Sequence, residues 1–217
     1  MHEYEKHGII LNDKIDNVES WYWSTKDQQT YGIIRQEWPV HKETVERLVP
    51  KKGVVIQAGG NLGMYPRLYA DMFETVYTFE PDPHNFFFLA TNCQKDNIIK
   101  MQAALGYNRS LVSVIKPLPQ NLGMNKVEET TTGNIPTLGI DDLGLRTIDL
   151  IHLDVEGYEL PALQGGIMTI TVHRPVIMCE RYDKADEVIN FLAPLGYKEA
   201  GYSAHDLIMV HEAKNAV

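Results

Sequence analysis

The sequence predicts one α/β domain built on a mostly parallel β-sheet with helices on both faces. Short apolar runs rich in β-branched residues recur from Gly53 onward, and segments of helical character separate most of them. Strands that alternate with helices are typical of parallel sheets with crossover helices. The last two strands, between residues 197 and 211, leave little room for a connection. They therefore predict an antiparallel hairpin at one edge of the sheet.

The composition is that of an ordinary globular protein and disfavours two kinds of partner. The 217 residues carry a formal net charge of −9, a poor electrostatic match for nucleic-acid phosphates. Residues 1–12 are charged, unlike a signal peptide, and no apolar stretch approaches the ~20 residues that span a bilayer. Cys93 and Cys179 lie far apart without metal-ligand spacing. We therefore expect a cytoplasmic protein with reduced cysteines and without a nucleic-acid or membrane partner.

The first 50 residues differ from the remainder of the chain. They are rich in aromatic residues and show no clear alternation of strands and helices beyond a short helix predicted over residues 41–48. We interpret residues 1–50 as a segment that caps the sheet or its cleft, and residues 51–217 as the α/β domain. The aromatic residues are Trp21, Tyr22, Trp23, Tyr31 and Trp38.

Strands and helices are then predicted in alternation along the α/β domain. Because ligands bind beyond the carboxyl ends of the strands in such sheets, each polar stretch that follows a strand is a candidate site. Residues 117–136 are polar and rich in glycine, threonine and proline, and are predicted to form a long functional or mobile loop. The predicted strands are 54–56, 75–79, 98–102, 111–115, 147–153 and 176–179, and the predicted helices are 62–73, 83–95, 159–169 and 185–195.

The first candidate site is the glycine-rich turn at residues 57–63, between the first strand and its helix. Gly59, Gly60 and Gly63 permit positive φ angles and let a ligand approach the backbone closely. Their spacing differs from the GxGxxG pattern of dinucleotide-binding proteins. Taken alone, the turn is equally compatible with an ordinary tight strand-to-helix connection.

The second candidate site is Glu80, which follows the next strand. It lies roughly 20 residues beyond the first glycine, where an acidic side chain can accept hydrogen bonds from two ribose hydroxyls. An adenosine ligand without phosphates needs such an acceptor. A solvated acidic residue in a loop is the alternative.

The third candidate site follows the strand at residues 147–153. Asp154 and Glu156 emerge at the carboxyl edge of the sheet, directly before Gly157 and a helix. Carboxylates there can orient a substrate hydroxyl, act as a general base or bind a divalent cation. They can also cap the helix, where negative charge is favourable, and the two roles are compatible.

Three further residues, Glu180, Arg181 and Tyr182, follow the next strand and face the same edge. Glu180 could complete an oxygen-ligand metal site with Asp154 and Glu156. We do not favour a metal, because acidic groups at this edge also serve substrate binding.

Taken together, these stretches resemble the FkbM-type methyltransferases over roughly residues 53–211. Residues 153–160 (LDVEGYEL), with Leu163 and the glycines at 165 and 166, are similar to the family signature. Residues 55–63 resemble the first motif, with Asn61 where other class I methyltransferases have a middle glycine, and residues 79–81 resemble the second. Weaker similarities lie at 103–106, 137–138, 141–143 and 174–180.

The resemblance implies a Rossmann-like class I methyltransferase fold with a seven-stranded sheet, and S-adenosylmethionine as methyl donor. It implies that the loop 57–63 lines the methionine part of the cofactor and that Glu80 holds the ribose. Asp154 would lie near the sulfonium. The implied cofactor-binding residues are Gln57, Gly59, Gly60, Asn61, Gly63, Glu80, Pro81, Asp82, Gln102, Ala103 and Asp154.

Two residues depart from the family pattern. Gln57 stands where an acidic residue is usual, so it could hydrogen-bond a cofactor amino group but offers it no charge. His152 stands where lysine is frequent. A histidine beside the cleft could act as a catalytic base near neutral pH, although we prefer a histidine buried in the core.

By the same resemblance we expect O-methylation of a hydroxyl on a small molecule or saccharide, oriented by Asp154 or Glu156. Gln57 keeps open a second interpretation, a catalytically degenerate protein that binds S-adenosylmethionine. A nucleic-acid methyltransferase is the third, but residues 154–157 (DVEG) lack the Asn/Asp-Pro-Pro-aromatic motif of amino-methylating enzymes. The oligomeric state is open.

Overall fold

A seven-stranded β-sheet forms the centre of the protein. The computed structural model describes residues 3–130, 132–180 and 185–214. Its strands are β1 (Gly8–Leu11), β2 (Trp21–Ser24), β3 (Val54–Ala58), β4 (Thr75–Phe79), β5 (Ile98–Met101), β6 (Ala104–Leu105), β7 (Leu111–Ile115), β8 (Lys126–Glu129), β9 (Ile135–Leu138), β10 (Leu150–Leu153), β11 (Val176–Glu180), β12 (Tyr197–Ser203) and β13 (Asp206–His211). Its α-helices are α1 (Thr30–Leu48), α2 (Met64–Tyr69), α3 (Pro83–Asn92), α4 (Glu159–Gln164), α5 (Ile167–His173) and α6 (Ala185–Leu192).

The order of strands across the central sheet is β12-β13-β11-β10-β3-β4-β5. The five strands from β11 to β5 run parallel, whereas β13 pairs antiparallel with both β11 and β12. The predicted α/β class, the mostly parallel seven-stranded sheet and the antiparallel hairpin at one edge are therefore confirmed.

Helices cover both faces of this sheet because successive strand residues point to opposite sides. Val55 packs in one core cluster together with buried residues of α1, α2 and α3. Ile56, its neighbour in β3, packs in a second cluster with residues of α4, α5 and α6.

The N-terminal segment packs on the α2 and α3 face and contains more regular structure than predicted. The long helix α1 begins at Thr30, although a helix was predicted only from residue 41, and it continues through Pro39. Ile34, Trp38, His41 and Val45 are buried at helical spacing, so tertiary packing stabilises a helix whose proline lacks one backbone donor.

The prediction of a long loop at residues 117–136 is wrong in part. A short 3₁₀-helix at Leu122–Met124, strand β8 and the start of β9 lie within it. β8 pairs with β7 in a second, four-stranded sheet of order β6-β9-β7-β8. Its sequence, KVEE, has little strand character, so pairing with a distant strand and not local propensity determines its conformation.

The prediction of a single helix over residues 159–169 is also wrong, because two helices form in this part of the chain. α4 and α5 are separated at Gly165 and Gly166, where a Cβ atom on Gly165 would lie 2.0 Å from the carbonyl oxygen of Gly106. The chain therefore bends where two backbone segments meet closely. Within the described residues, no helix is both long and apolar enough to cross a membrane.

Candidate active site

The glycine-rich loop after β3 lies against the segment that follows β10. Gly59 has a φ of 81°, and a Cβ atom at this position would lie 1.7 Å from the backbone oxygen of Asp154. The backbone N–H groups of Gly59 and Gly60 donate to Phe79 O at 3.0 and 2.9 Å. Only glycine fits at residue 59, and the loop is held close to the ends of both β4 and β10.

Glu80 joins this loop to the turn after β4. Its Oε2 accepts the backbone N–H of Asn61 at 2.7 Å, and its Oε1 accepts that of Asp82 at 2.8 Å. The side chain is buried, and burial raises its pKa to about 8 against the opposing effect of these two hydrogen bonds. A carboxylate has about four acceptor positions, so Glu80 can still accept from a ligand.

A first cleft of about 510 Å³ opens beside Glu80. Ala103, Leu105 and Phe79 form apolar walls, and Asn85 and Asn125 add polar groups. The Oδ1 atom of Asn85 and both amide atoms of Asn125 are buried without hydrogen-bond partners among the described residues. The structure brings these predicted cofactor residues to the first cleft: Gly59, Asn61, Glu80, Pro81, Ala103 and Asp154.

The remaining predicted cofactor residues have other positions. Gly60 lines a second, neighbouring cleft that is described below. Gly63 is the N-cap of α2 and lies against Leu89 and Cys93. Asp82 caps α3 through hydrogen bonds from the N–H groups of residues 84 and 85. Gln102 is exposed at the end of β5 and does not line the first cleft.

Gln57 is buried and lines neither the first cleft nor its neighbour. Its Nε2 donates to the backbone oxygens of Ala58 at 3.1 Å and Gly59 at 3.0 Å, and its Oε1 accepts from Thr78 Oγ1 at 2.7 Å. The side chain therefore uses its polar groups to hold the glycine loop in place, which the sequence pattern did not indicate.

A second cleft of about 760 Å³ adjoins the first, and Gly59, Asn61 and Asp154 line both. Its surface is acidic: its described lining residues contain no lysine or arginine, and His205 is the one basic side chain among them. The lining carboxylates are Glu37, Asp154, Glu156, Glu180 and Asp206.

Three of these carboxylates form a cluster in the second cleft. Asp154, Glu156 and Glu180 each place a carboxylate oxygen within 4.8 Å of the others. Burial, followed by the charge of Glu180, raises the pKa of Asp154 well above its usual range. Burial and the charge of Glu156 raise the pKa of Glu180 to about 8. The cluster therefore retains a proton near neutral pH.

The backbone directs Glu156 into the second cleft through an unusual turn. Glu156 has a φ of 56°, and Gly157 follows with a φ of 93°. A left-handed conformation is uncommon for a non-glycine residue and is retained at sites that need it. Glu159 accepts the N–H groups of Val155 and Gly157 at 3.3 and 3.2 Å, so it stabilises this turn before α4.

His152 lies in the core, in keeping with the preferred interpretation, and lines neither cleft. Its Nδ1 lies 3.0 Å from the Tyr69 hydroxyl, and its Nε2 lies 3.3 Å from Asp206 Oδ2. His41 approaches the same two residues from α1. The sequence did not single out His41, Tyr69 or Asp206, which come from three distant parts of the chain. Arg181 and Tyr182, predicted at the cleft edge, lie outside the described residues.

The mostly parallel seven-stranded sheet with an antiparallel hairpin at one edge is the fold of class I S-adenosylmethionine-dependent methyltransferases. A family model described as the methyltransferase FkbM domain matches residues 61–203. The chain therefore belongs to the FkbM methyltransferase family, whose members use S-adenosylmethionine as methyl donor. No curated protein sequence was found to match the chain.

Solved structures of methyltransferases have a similar fold. A putative S-adenosylmethionine-dependent methyltransferase from Methanococcus maripaludis aligns with a TM-score of 0.53 at 12% identity, over 84% of this chain and 88% of that one. A ribosomal protein L11 methylase from Lactobacillus delbrueckii subsp. bulgaricus aligns with a TM-score of 0.50 at 11% identity, over 82% of this chain and 79% of that one. The methyltransferase FkbM from Methylobacillus flagellatus aligns with a TM-score of 0.49 at 16% identity. The alignment covers 85% of this chain but only 56% of that protein's chain.

Proposed function

We propose that the protein transfers the methyl group of S-adenosylmethionine to a hydroxyl oxygen of a small molecule or saccharide. The observation that carries this proposal is the position of Asp154, which lines both clefts and holds the wall between them. A donor in the first cleft and an acceptor in the second would meet at this residue. Glu156 and Glu180 then lie on the acceptor side.

The residues of the first cleft suit S-adenosylmethionine. Glu80 offers acceptor positions for ribose hydroxyls, and the buried amide groups of Asn85 and Asn125 offer partners for the polar edge of adenine. Ala103 and Leu105 supply apolar surface for its ring. Gly59 lets its loop lie directly against the Asp154 backbone at the edge of this cleft, because a side chain there would collide with the Asp154 carbonyl. The bound cofactor supplies an activated methyl group.

The acidic cluster suits the other half of the reaction. Methyl transfer to a hydroxyl releases the hydroxyl proton, and a carboxylate whose pKa is raised toward neutrality is an effective acceptor for it. In this proposal Asp154, whose pKa is raised, takes the proton, and Glu156, which lines the same cleft, helps to orient the hydroxyl. Because the methyl donor is already activated, positioning supplies much of the remaining rate.

Two alternatives are less well supported. A nucleic-acid acceptor would bring phosphates toward the carboxylates of the second cleft, and its described lining offers no lysine or arginine to pair with them. A degenerate, non-catalytic protein was suggested by Gln57. That residue is engaged with the glycine loop, so its lack of charge does not remove a cofactor contact.

The test combines turnover with cofactor binding. Purified protein is incubated with ¹³C-methyl-labelled S-adenosylmethionine and a panel of hydroxylated small molecules and saccharides, and S-adenosylhomocysteine is measured. Asp154→Asn and Glu156→Gln are each expected to lower turnover at least tenfold, and Glu156→Gln, whose residue does not line the first cleft, is expected to change cofactor affinity by less than threefold. The ¹³C chemical shift of the product identifies an O-methyl group. Full turnover in both variants, or an N-methyl product, would contradict the proposal.

A further inference from the structure

Two histidines and an aspartate meet beneath the second cleft. His41 lies on α1, His152 on β10 and Asp206 at the start of β13. Asp206 Oδ2 lies 3.2 Å from His41 Nδ1 and 3.3 Å from His152 Nε2, and the two imidazole rings are 4.7 Å apart between centroids. All three side chains are buried.

Hydrogen bonds do not account for this convergence. Among the described residues, neither His41 Nδ1 nor His152 Nε2 has a hydrogen-bond partner of acceptable geometry, although both point toward the same carboxylate oxygen. Buried polar atoms are nearly always paired, and each one left unpaired costs about 1–3 kcal/mol. Both nitrogens face one carboxylate oxygen at ion-pair distance, an arrangement that fits a cation held by the three atoms.

The separations are those of ligand atoms around a tetrahedral ion. Nitrogen and oxygen ligands lie about 2.0–2.2 Å from zinc, and at tetrahedral angles such atoms are about 3.3–3.6 Å apart. Of the two nitrogen–oxygen separations, 3.3 Å lies at the lower limit of this range and 3.2 Å lies 0.1 Å below it.

Tyr69 contacts both rings on the side away from Asp206. Its hydroxyl lies 3.0 Å from His152 Nδ1 and also contacts His41 Nε2. A hydroxyl oxygen has two acceptor positions, so it can receive the N–H of both imidazoles. Metal-binding histidines are oriented in this way by an acceptor at the second ring nitrogen.

We propose that His41 Nδ1, His152 Nε2 and Asp206 Oδ2 bind one divalent transition-metal ion, with zinc as the best match for two imidazoles and a carboxylate. The ion ties helix α1 to two strands of the sheet. Because Asp206 also lines the second cleft, the ion fixes the floor of that cleft. This site is distinct from the acidic cluster of Asp154, Glu156 and Glu180, and it does not depend on the proposed methylation.

The first experiment is a titration of protein without an affinity tag. Bound metal is removed with a chelator and by dialysis, and Co²⁺ is added while the visible absorption of tetrahedral cobalt is recorded; Zn²⁺ is then used to displace it. We expect one cobalt per chain and complete displacement by zinc. Absence of uptake would overturn the proposal.

Variants locate the ion. His41→Gln, His152→Gln and Asp206→Asn are each expected to weaken cobalt binding at least 100-fold. The double variant Glu156→Gln and Glu180→Gln removes two carboxylates of the other cluster and is expected to retain wild-type affinity. Loss of binding in this control, with retention in the histidine variants, would overturn the assignment.

A measurement on the unaltered protein covers the case in which the histidine variants do not fold. X-ray absorption of the zinc-loaded protein resolves the multiple scattering of imidazole rings. Two imidazoles among the ligands support the site. A shell made only of oxygen atoms overturns it.

Discussion

The Oε2 atom of Glu80 accepts the backbone N–H of Asn61 at 2.7 Å, so one buried carboxylate joins the loop after β3 to the turn after β4. Both segments line the first cleft. The geometry of the cleft and the proposed ribose contact therefore depend on the same side chain, which makes Glu80 the most informative residue to alter.

Replacement of Glu80 is expected to weaken cofactor binding. Glu80→Gln retains the shape but replaces one acceptor oxygen with an NH₂ group that cannot accept, and leaving a buried group without its hydrogen-bond partner costs about 1–3 kcal/mol. We expect a 10- to 100-fold rise in the Kd for S-adenosylmethionine in calorimetric titrations. Glu74→Gln, a change at an exposed residue just before β4, serves as the control and should leave the Kd unchanged. Equal affinity in both variants would exclude a ribose contact by Glu80.

The raised pKa of Glu80 predicts a pH dependence of stability. Below about pH 4.5 this carboxyl is protonated in both folded and unfolded chains. Between there and its folded pKa of about 8 the unfolded chain loses the proton first, so stability falls as pH rises. Glu80→Gln cannot ionise. Its stability relative to wild type should therefore increase by up to about 1.4 kcal/mol per pH unit from pH 5 to 8. Urea unfolding at several pH values measures this, and parallel curves would refute it.

The close approach at Gly59 predicts a large effect of a single methyl group. In Gly59→Ala the Cβ atom would lie 1.7 Å from the Asp154 carbonyl oxygen, so the two loops must separate. We expect a loss of more than about 3 kcal/mol and no measurable cofactor binding. Gly144→Ala is the matched control, because Gly144 also has a positive φ, 58°, but open space around it. It should cost only about 1 kcal/mol. Similar losses in the two variants would show that backbone conformation alone matters.

We expect the protein to become less stable when position 57 receives the acidic residue that is usual in the family. The Nε2 atom of Gln57 donates to two backbone oxygens, and Gln57→Glu would place a buried carboxylate against them. We expect a loss of about 2–4 kcal/mol in chemical unfolding and no gain in cofactor affinity. Gln36→Glu, on the exposed side of α1, is the control. Tighter cofactor binding in Gln57→Glu would mean that this side chain turns toward the ligand.

Asn125 was not singled out by the sequence, and its position predicts a role in cofactor recognition. Its two side-chain polar atoms are buried without partners among the described residues, at the surface of the first cleft. Asn125→Ala removes this unpaired polar group. It should therefore leave the free energy of unfolding unchanged or raise it, while cofactor affinity falls about 5- to 20-fold. An unchanged Kd for S-adenosylmethionine would show that the Asn125 amide takes no part in cofactor binding.

Local patterns account for the elements and site residues that were predicted well. β4 has the predicted bounds because an apolar run of β-branched and aromatic residues is sufficient to define a buried strand. Glu80 was placed at the cleft because it follows such a strand at a fixed distance from the glycine turn. Its side chain was correctly expected at the carboxyl edge of the sheet.

Long-range pairing explains what could not be predicted. Nothing within the KVEE sequence of β8 indicates a strand, since its partner β7 lies earlier in the chain beyond an intervening 3₁₀-helix. The orientation of Gln57 depends on Thr78 in the neighbouring strand. The meeting of His41 with Asp206 depends on how α1 packs on the sheet. In each case the decisive partner is distant in sequence.

The contact between Gly59 and the Asp154 carbonyl gives the two clefts a common wall made of main chain. Under the proposed function this main-chain wall would set the distance over which the methyl group travels, and that distance would depend on the absence of a side chain at residue 59. The outer walls of the second cleft, such as Ile33 and Met124, carry no such restriction. Under the proposed function, substitutions at the outer walls would change which acceptor fits while leaving the Gly59–Asp154 wall in place.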